Sequence, residues 1–233
     1  MSCRLVVYAV TAAAILADAG IAQGAFPSAE RSAAIRVIVA LVPPVPASSG
    51  QLRAMMREAD AIWRPYGVTL GWSTGAASES SADSAASLRV RFVRGTAPAS
   101  GTAGSGAFRL GAIRFFDGDV ADDVIVLSAD EIAATVMSAP WPGRDLRLMP
   151  PAFIEDLIGR AAGRVLGHEL GHYLLGLRTH TQKGLMRPSF TGGELVHWDR
   201  HAFGLDAAAR LRLHARAVEQ LQRASSTSVA ARD

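Results

Sequence analysis

The period of apolar positions changes several times along the chain, and each change marks an element. Residues 35–42, Ile-Arg-Val-Ile-Val-Ala-Leu-Val, are rich in β-branched side chains and stop at Pro43-Pro44, which predicts a first strand. Beyond Ser48 and Ser49, either of which can cap a helix, Leu52, Met55, Met56, Ala59, Ile62 and Trp63 recur at helical spacing. A helix is therefore expected through Arg64, ended by Tyr66-Gly67. Residues 68–72 and 88–93 return to strand patterning, with Ser/Ala/Gly-rich loops over 73–87 and 95–107. Two more strands are expected at 108–116 and 124–127, separated by the turn residues Asp117-Gly118-Asp119. Trp63 and Trp72 read as core anchors.

The second half of the chain is helical in pattern. Ser128 is placed to cap a short helix ending at Met137, and a proline-rich connection over 140–151 follows. Residues 151–166 then read as an amphipathic helix. Phe153, Ile154, Leu157, Ile158, Ala161, Ala162, Val165 and Leu166 are its apolar positions, and Glu155, Asp156, Arg160 and Arg164 its polar ones. Gly176, after Leu174-Leu175, is where that helix should end in the left-handed conformation. A later helical run is expected from about His197 and His201 through 207–221, and the small polar tail 223–233 is expected to be disordered.

Candidate chemistry falls on the helix before Gly176. In His168-Glu169-Leu170-Gly171-His172 the two histidines are four residues apart, so a helix aims both imidazoles to one side, as two ligands of one metal ion. Glu169 lies one step round, where its carboxylate can reach an activated water without itself being a ligand, the place of a general base. The turn at Gly176 should bring His180 back as a third ligand, and three neutral imidazoles suit a catalytic Zn2+ with an open position. Other residues compete for the third place: Glu194, Asp199 or Asp206 as a carboxylate, and His197 or His201, which form another i, i+4 pair. Met186 reads as a core residue.

Taken together, His168, Glu169, His172, Gly176, His180 and the Gly184-Leu185-Met186 turn resemble the metzincin clan of zinc endopeptidases. The resemblance is confined to about residues 167–186. The clan's usual motif places glycine three residues after the second histidine and the third histidine three further on; here both intervals are four. Met186 follows His180 by only six residues, and Pro188 stands where the clan often has tyrosine. The resemblance implies an α+β, zincin-like fold: an N-terminal mixed-sheet subdomain with a backing helix and the zinc-binding helix, then a smaller helical C-terminal subdomain. It also implies hydrolysis of protein or peptide substrates, with a sheet edge strand pairing to the substrate backbone; the segment 111–116 is the candidate for that strand.

Compartment and partners follow from the rest of the sequence. Arg4 precedes an apolar run over 5–16, and Ala17-Asp18-Ala19 offers small residues where a signal peptidase reads, so residues 1–25 are expected to be a signal peptide cleaved near 19 or 25. Residues 26–222 would then be one catalytic domain, secreted or periplasmic in a bacterium, monomeric and free of the membrane after cleavage. Cys3 is the only cysteine, so that domain forms no disulfide. A net charge of +3, carried by dispersed arginines without a basic run or aromatic platform, gives no support to nucleic-acid binding. Two other functions are compatible with the same residues: an inactive zinc-binding interaction protein, and a zinc hydrolase of non-peptide bonds.

Overall fold

The computed structural model describes residues 35–74, 86–95, 110–116, 120–143 and 145–230. The expected signal peptide, the turn 117–119 and most of both Ser/Ala/Gly-rich loops lie outside them.

The elements follow the predicted order. Strand β1 (Ile35–Val42) leads to helix α1 (Ser49–Trp63), then β2 (Val68–Thr74), β3 (Ala86–Val93), β4 (Gly111–Phe115), β5 (Ala121–Ser128) and α2 (Ala129–Met137). The long helix α3 (Pro151–Leu175), the short α4 (Gly192–Val196) and α5 (Ala207–Ala230) complete the chain. Ser48 caps α1 through a reciprocal box with Gln51, and Ser128 caps α2. The fold is α+β. One five-stranded sheet has the order β2-β1-β3-β5-β4, parallel except for β4, which runs antiparallel to β5 at the edge.

Alternation along the strands sets which face is buried. Val37, Val39, Leu41, Leu88, Val90, Ile125 and Leu127 join one core cluster with Met55, Ile62, Leu157, Leu166 and Leu170 of α1 and α3. Both helices therefore back the sheet. Trp63, fully buried at the end of α1, satisfies its ring N–H on the Gly167 carbonyl at 3.2 Å, immediately before the first candidate ligand. Trp72 is half-buried, its ring N–H on Asp60.

Helix α3 carries a four-residue repeat that sequence periodicity alone did not single out: Gly159-Arg160, Gly163-Arg164, Gly167-His168 and Gly171-His172. The glycines form one stripe. A Cβ on Gly163 would stand 2.6 Å from the Met55 carbonyl oxygen and 2.7 Å from the Glu58 Cβ, so its absence lets α1 and α3 touch backbone to backbone.

The adjoining stripe of Arg160, Arg164, His168 and His172 is a row of donors, and each reaches a backbone carbonyl of the chain after α3. Arg160 bonds to Val196 O, Arg164 to Glu194 O and Asp199 O, His168 to Leu185 O and His172 to Leu177 O. Residues 177–199 are thereby laid along the helix.

Two expectations need correction. Arg164 is not on a solvated face: it is fully buried, pairs with Glu58 at 2.8 Å and lies over the Phe203 ring at 4.5 Å. Burial lowers its pKa from the ordinary arginine value, against the raising effect of Glu58. His197 and His201 do not share a helix, because His197 ends α4, His201 opens a 3-10 turn and α5 begins only at Ala207, with Asp206 accepting from the Ala209 N–H at 2.8 Å. The backbone of α5 runs to Ala230, over residues 223–230 of the expected tail, and residues 231–233 lie outside the described ones.

Candidate metal centre

The site is built on the last two turns of α3. Gly176 ends the helix at φ 57°, in the left-handed region, where its N–H meets the His172 and Tyr173 carbonyls. That reversal sends the chain back across the helix. A second reversal at Gly184 (φ 77°) is closed by Thr181 N–H on Met186 O at 2.8 Å and anchored by Leu185 N–H on Gly204 O at 2.8 Å. Between the two turns sits His180.

The structure brings His168, His172 and His180 together, with one ring nitrogen of each inside a common 4.8 Å span. The His168 and His180 rings are stacked at 5.2 Å between centroids; His172 stands edge-on to both, at 4.7 Å and 4.9 Å. Nδ1 of His168 lies 2.7 Å from Leu185 O and Nδ1 of His172 lies 2.5 Å from Leu177 O, so each Nδ1 carries the proton and donates. Both Nε2 atoms then present lone pairs, 3.0 Å apart. Two nitrogens held at about 2.0–2.1 Å from one zinc ion in tetrahedral geometry are separated by about 3.3–3.4 Å, so a small outward shift of the rings would suit a shared cation. The carbonyls that fix the tautomers are themselves held by the two turns.

Electrostatics agree with that donor set. Burial, helped by mutual repulsion among the rings, lowers the His168 pKa to about 3; burial takes His172 to about 4 and also lowers His180. All three stay neutral, the form in which imidazole ligates. Glu169 is buried against β4, where burial raises its carboxyl to about 8, opposed by a backbone hydrogen bond from Ile113. A neighbouring divalent cation acts in the opposite sense and favours the carboxylate.

Around the ligands the walls are aromatic. Phe115 meets the His172 ring edge-on at 6.2 Å, and Phe190 meets His168 at 5.9 Å. Met186 is buried beneath, its sulfur against Gly171. Neither phenylalanine was distinguishable from core residues in the sequence.

The competing residues lie elsewhere. Glu194 pairs with Arg187 at 2.6 Å and closes a capping box with Thr191. Asp199 accepts from the His201 N–H at 2.6 Å, Asp206 caps α5, and the His201 side chain is 95% exposed. His197 Nδ1 faces the Asp199 N–H at 3.2 Å. Among the described residues the three-histidine group alone is arranged to hold a metal ion.

No protein-family model and no curated protein sequence matches the chain. Solved structures to which it is similar include an archaemetzincin from Methanopyrus kandleri, at TM-score 0.45 and 15% identity over 82% of this chain and 99% of that one. Another is metalloproteinase-II from Bacteroides fragilis, at TM-score 0.43 and 10% identity over 81% of this chain and 55% of that one.

Proposed function

We propose that this chain is a metzincin-like, zinc-dependent endopeptidase that acts outside the cytoplasm, with His168, His172 and His180 as metal ligands and Glu169 as general base. One observation carries the reading. Two buried imidazoles have their Nδ1 protons committed to backbone carbonyls and their Nε2 lone pairs 3.0 Å apart, with a third imidazole beside them and a buried carboxyl one residue away.

Zinc bound by neutral imidazoles keeps its full charge, acidifies water and polarises a carbonyl. The chain's own residues supply the remainder. Glu169 takes the proton from the attacking water and returns it to the departing amine. Glu169 lies against Ile113 of the edge strand, which supports that role. Because the Ser128 N–H bonds to Leu110 O, antiparallel alternation turns the backbone polar groups of Gly111 and Ile113 away from β5, toward the open edge, where the Ile113 N–H already meets Glu169. An extended peptide pairing there by β-augmentation would lie beside the histidines, with Phe115 and Phe190 lining its path.

Export rests on the segment 1–25, with its basic residue, apolar run and small-residue site. No helix among the described residues is long and apolar enough to cross a membrane.

The test is cleavage of a mixed peptide library by the purified chain, with and without a chelator, beside Glu169→Gln. Cleavage that the chelator abolishes, zinc restores and Glu169→Gln lacks is the expected result. Zinc uptake with no peptide cut would instead favour a binding protein or hydrolysis of another bond.

A further inference from the structure

Arg178 stands midway between the helix-ending Gly176 and His180, exposed at the rim of the site. Its guanidinium lies over the Phe115 ring, 5.3 Å from the centroid, and donates to the Phe116 carbonyl oxygen. Phe115 is in turn edge-on to His172. One aromatic ring of the edge strand is thus gripped between an imidazole of the candidate metal site and a cation on the loop that carries His180.

The strand needs such a tie. β4 has five residues and, among the described residues, one neighbour, and its pairing with β5 is irregular between Ile113 and Phe115. A short edge strand with a broken ladder is weakly held at that end. Beyond the irregularity, Phe116 is fixed twice: its N–H bonds to Val120 O at 2.9 Å, and its carbonyl accepts from Arg178. A charge-assisted hydrogen bond with a cation–π contact is the stronger of these ties.

We propose that Arg178 is a positioning residue: by joining the end of β4 to the His180 loop, it sets the separation between the peptide-pairing edge and the three histidines. The inference rests on the peptidase reading above and gives the substrate class as extended peptides long enough to pair with β4. Small substrates that reach only the histidines and Glu169 do not depend on this separation.

The test uses the full chain as wild type, Arg178→Ala and Arg178→Lys. A ten-residue fluorogenic peptide is compared with a fluorogenic substrate having one residue on each side of the scissile bond. Zinc content and hydrogen exchange of β4 are measured in parallel. Arg178→Ala should raise KM for the long peptide about tenfold with kcat within about twofold, leave the short substrate unchanged, and retain zinc. Amides at 111–116 should exchange faster while those at 165–175 keep their rates. Arg178→Lys, which keeps a donor for the Phe116 carbonyl, should recover KM to within about threefold of wild type. The proposal is overturned if both substrates weaken together, if neither changes, if zinc is lost, or if β4 exchange is unaltered. Should wild type cut neither substrate, the peptidase reading fails by itself, and the exchange rates of β4 still decide whether Arg178 ties the strand.

Discussion

The sulfur of Met186 occupies the space that a Cβ on Gly171 would need. Gly171 lies on α3 between the two candidate ligands and Met186 on the turn whose Leu185 carbonyl holds His168, so helix and turn are in contact at the candidate metal site.

Replacing glycine by alanine inside a helix ordinarily stabilises it by about 1 kcal/mol. At Gly171 the clash should win. Gly171→Ala is expected to cost about 1–3 kcal/mol in urea unfolding through overpacking and to weaken zinc binding by moving the Met186 turn. Gly171→Ala with Met186→Ala should regain zinc affinity, since the second change vacates the space. A single variant as stable and as tight for zinc as wild type would contradict the packing described.

Gly111 is a second close approach, this time to Glu169, the proposed base. A Cβ there would stand 2.7 Å from Val165 Cγ1 and 3.2 Å from Glu169 Cγ and Oε1. Gly111→Ala should displace the carboxylate and lower kcat on the order of ten- to a hundredfold, with zinc content unchanged, since misplacing a reacting group by about 1 Å costs about that much. Wild-type kcat in this variant would show that Glu169 does not act from this position.

The buried ion cluster predicts a stability loss away from the metal. Glu58, 3% exposed, is the partner of fully buried Arg164 and, at 2.7 Å, of Arg200. Glu58→Gln leaves Arg164 charged and uncompensated in the interior, and should cost about 3–5 kcal/mol by urea unfolding. A loss below about 1 kcal/mol would mean that the arginine has another route to solvation.

In chelated protein, stability should fall on both sides of mild acidity. The pKa values of His168 and His172 are lowered from 6.5 to about 3 and about 4, so the unfolded chain takes up protons first and stability drops as pH falls from 6.5 through those values. Glu169 is raised from 4.5 to about 8; the folded chain holds a proton that the unfolded one releases, and stability drops as pH rises from 4.5 through 8. Denaturant midpoints between pH 3 and pH 9 should show the alkaline limb in wild type and its reduction in Glu169→Gln. An identical alkaline limb in both would remove Glu169 as its source.

The parts of this site legible in the sequence are those encoded locally. His168, Glu169 and His172 are placed by helical geometry and Gly176 by its turn, and His180 needs only a short reversal to reach them. Most strands and their order were equally readable, because alternation and Gly/Pro punctuation are local signals. What escaped depends on distant partners. Arg164 looks solvated at its position on α3 until Glu58, 106 residues away, and the carbonyls of 194 and 199 enclose it. Phe115 and Phe190 acquire their place beside the histidines only once β4 is an edge strand and the chain after Met186 has folded back.

Two signals were present and unused. The four-residue repeat of glycine followed by arginine or histidine marks both the stripe that meets α1 and the stripe that holds the C-terminal segment. Thr191-Gly192-Gly193-Glu194 is a capping box that starts α4 ahead of His197, and Asp206 caps α5 inside the helical run expected from His197, which breaks that run in two.

Zinc content after dialysis against sub-micromolar free zinc decides whether three histidines of this chain hold one zinc ion. About one zinc per chain is expected in wild type and in Glu169→Gln, and none in His168→Ala or His180→Ala. Zinc retained at wild-type stoichiometry by His180→Ala, or wild type that takes up no zinc, would contradict that expectation.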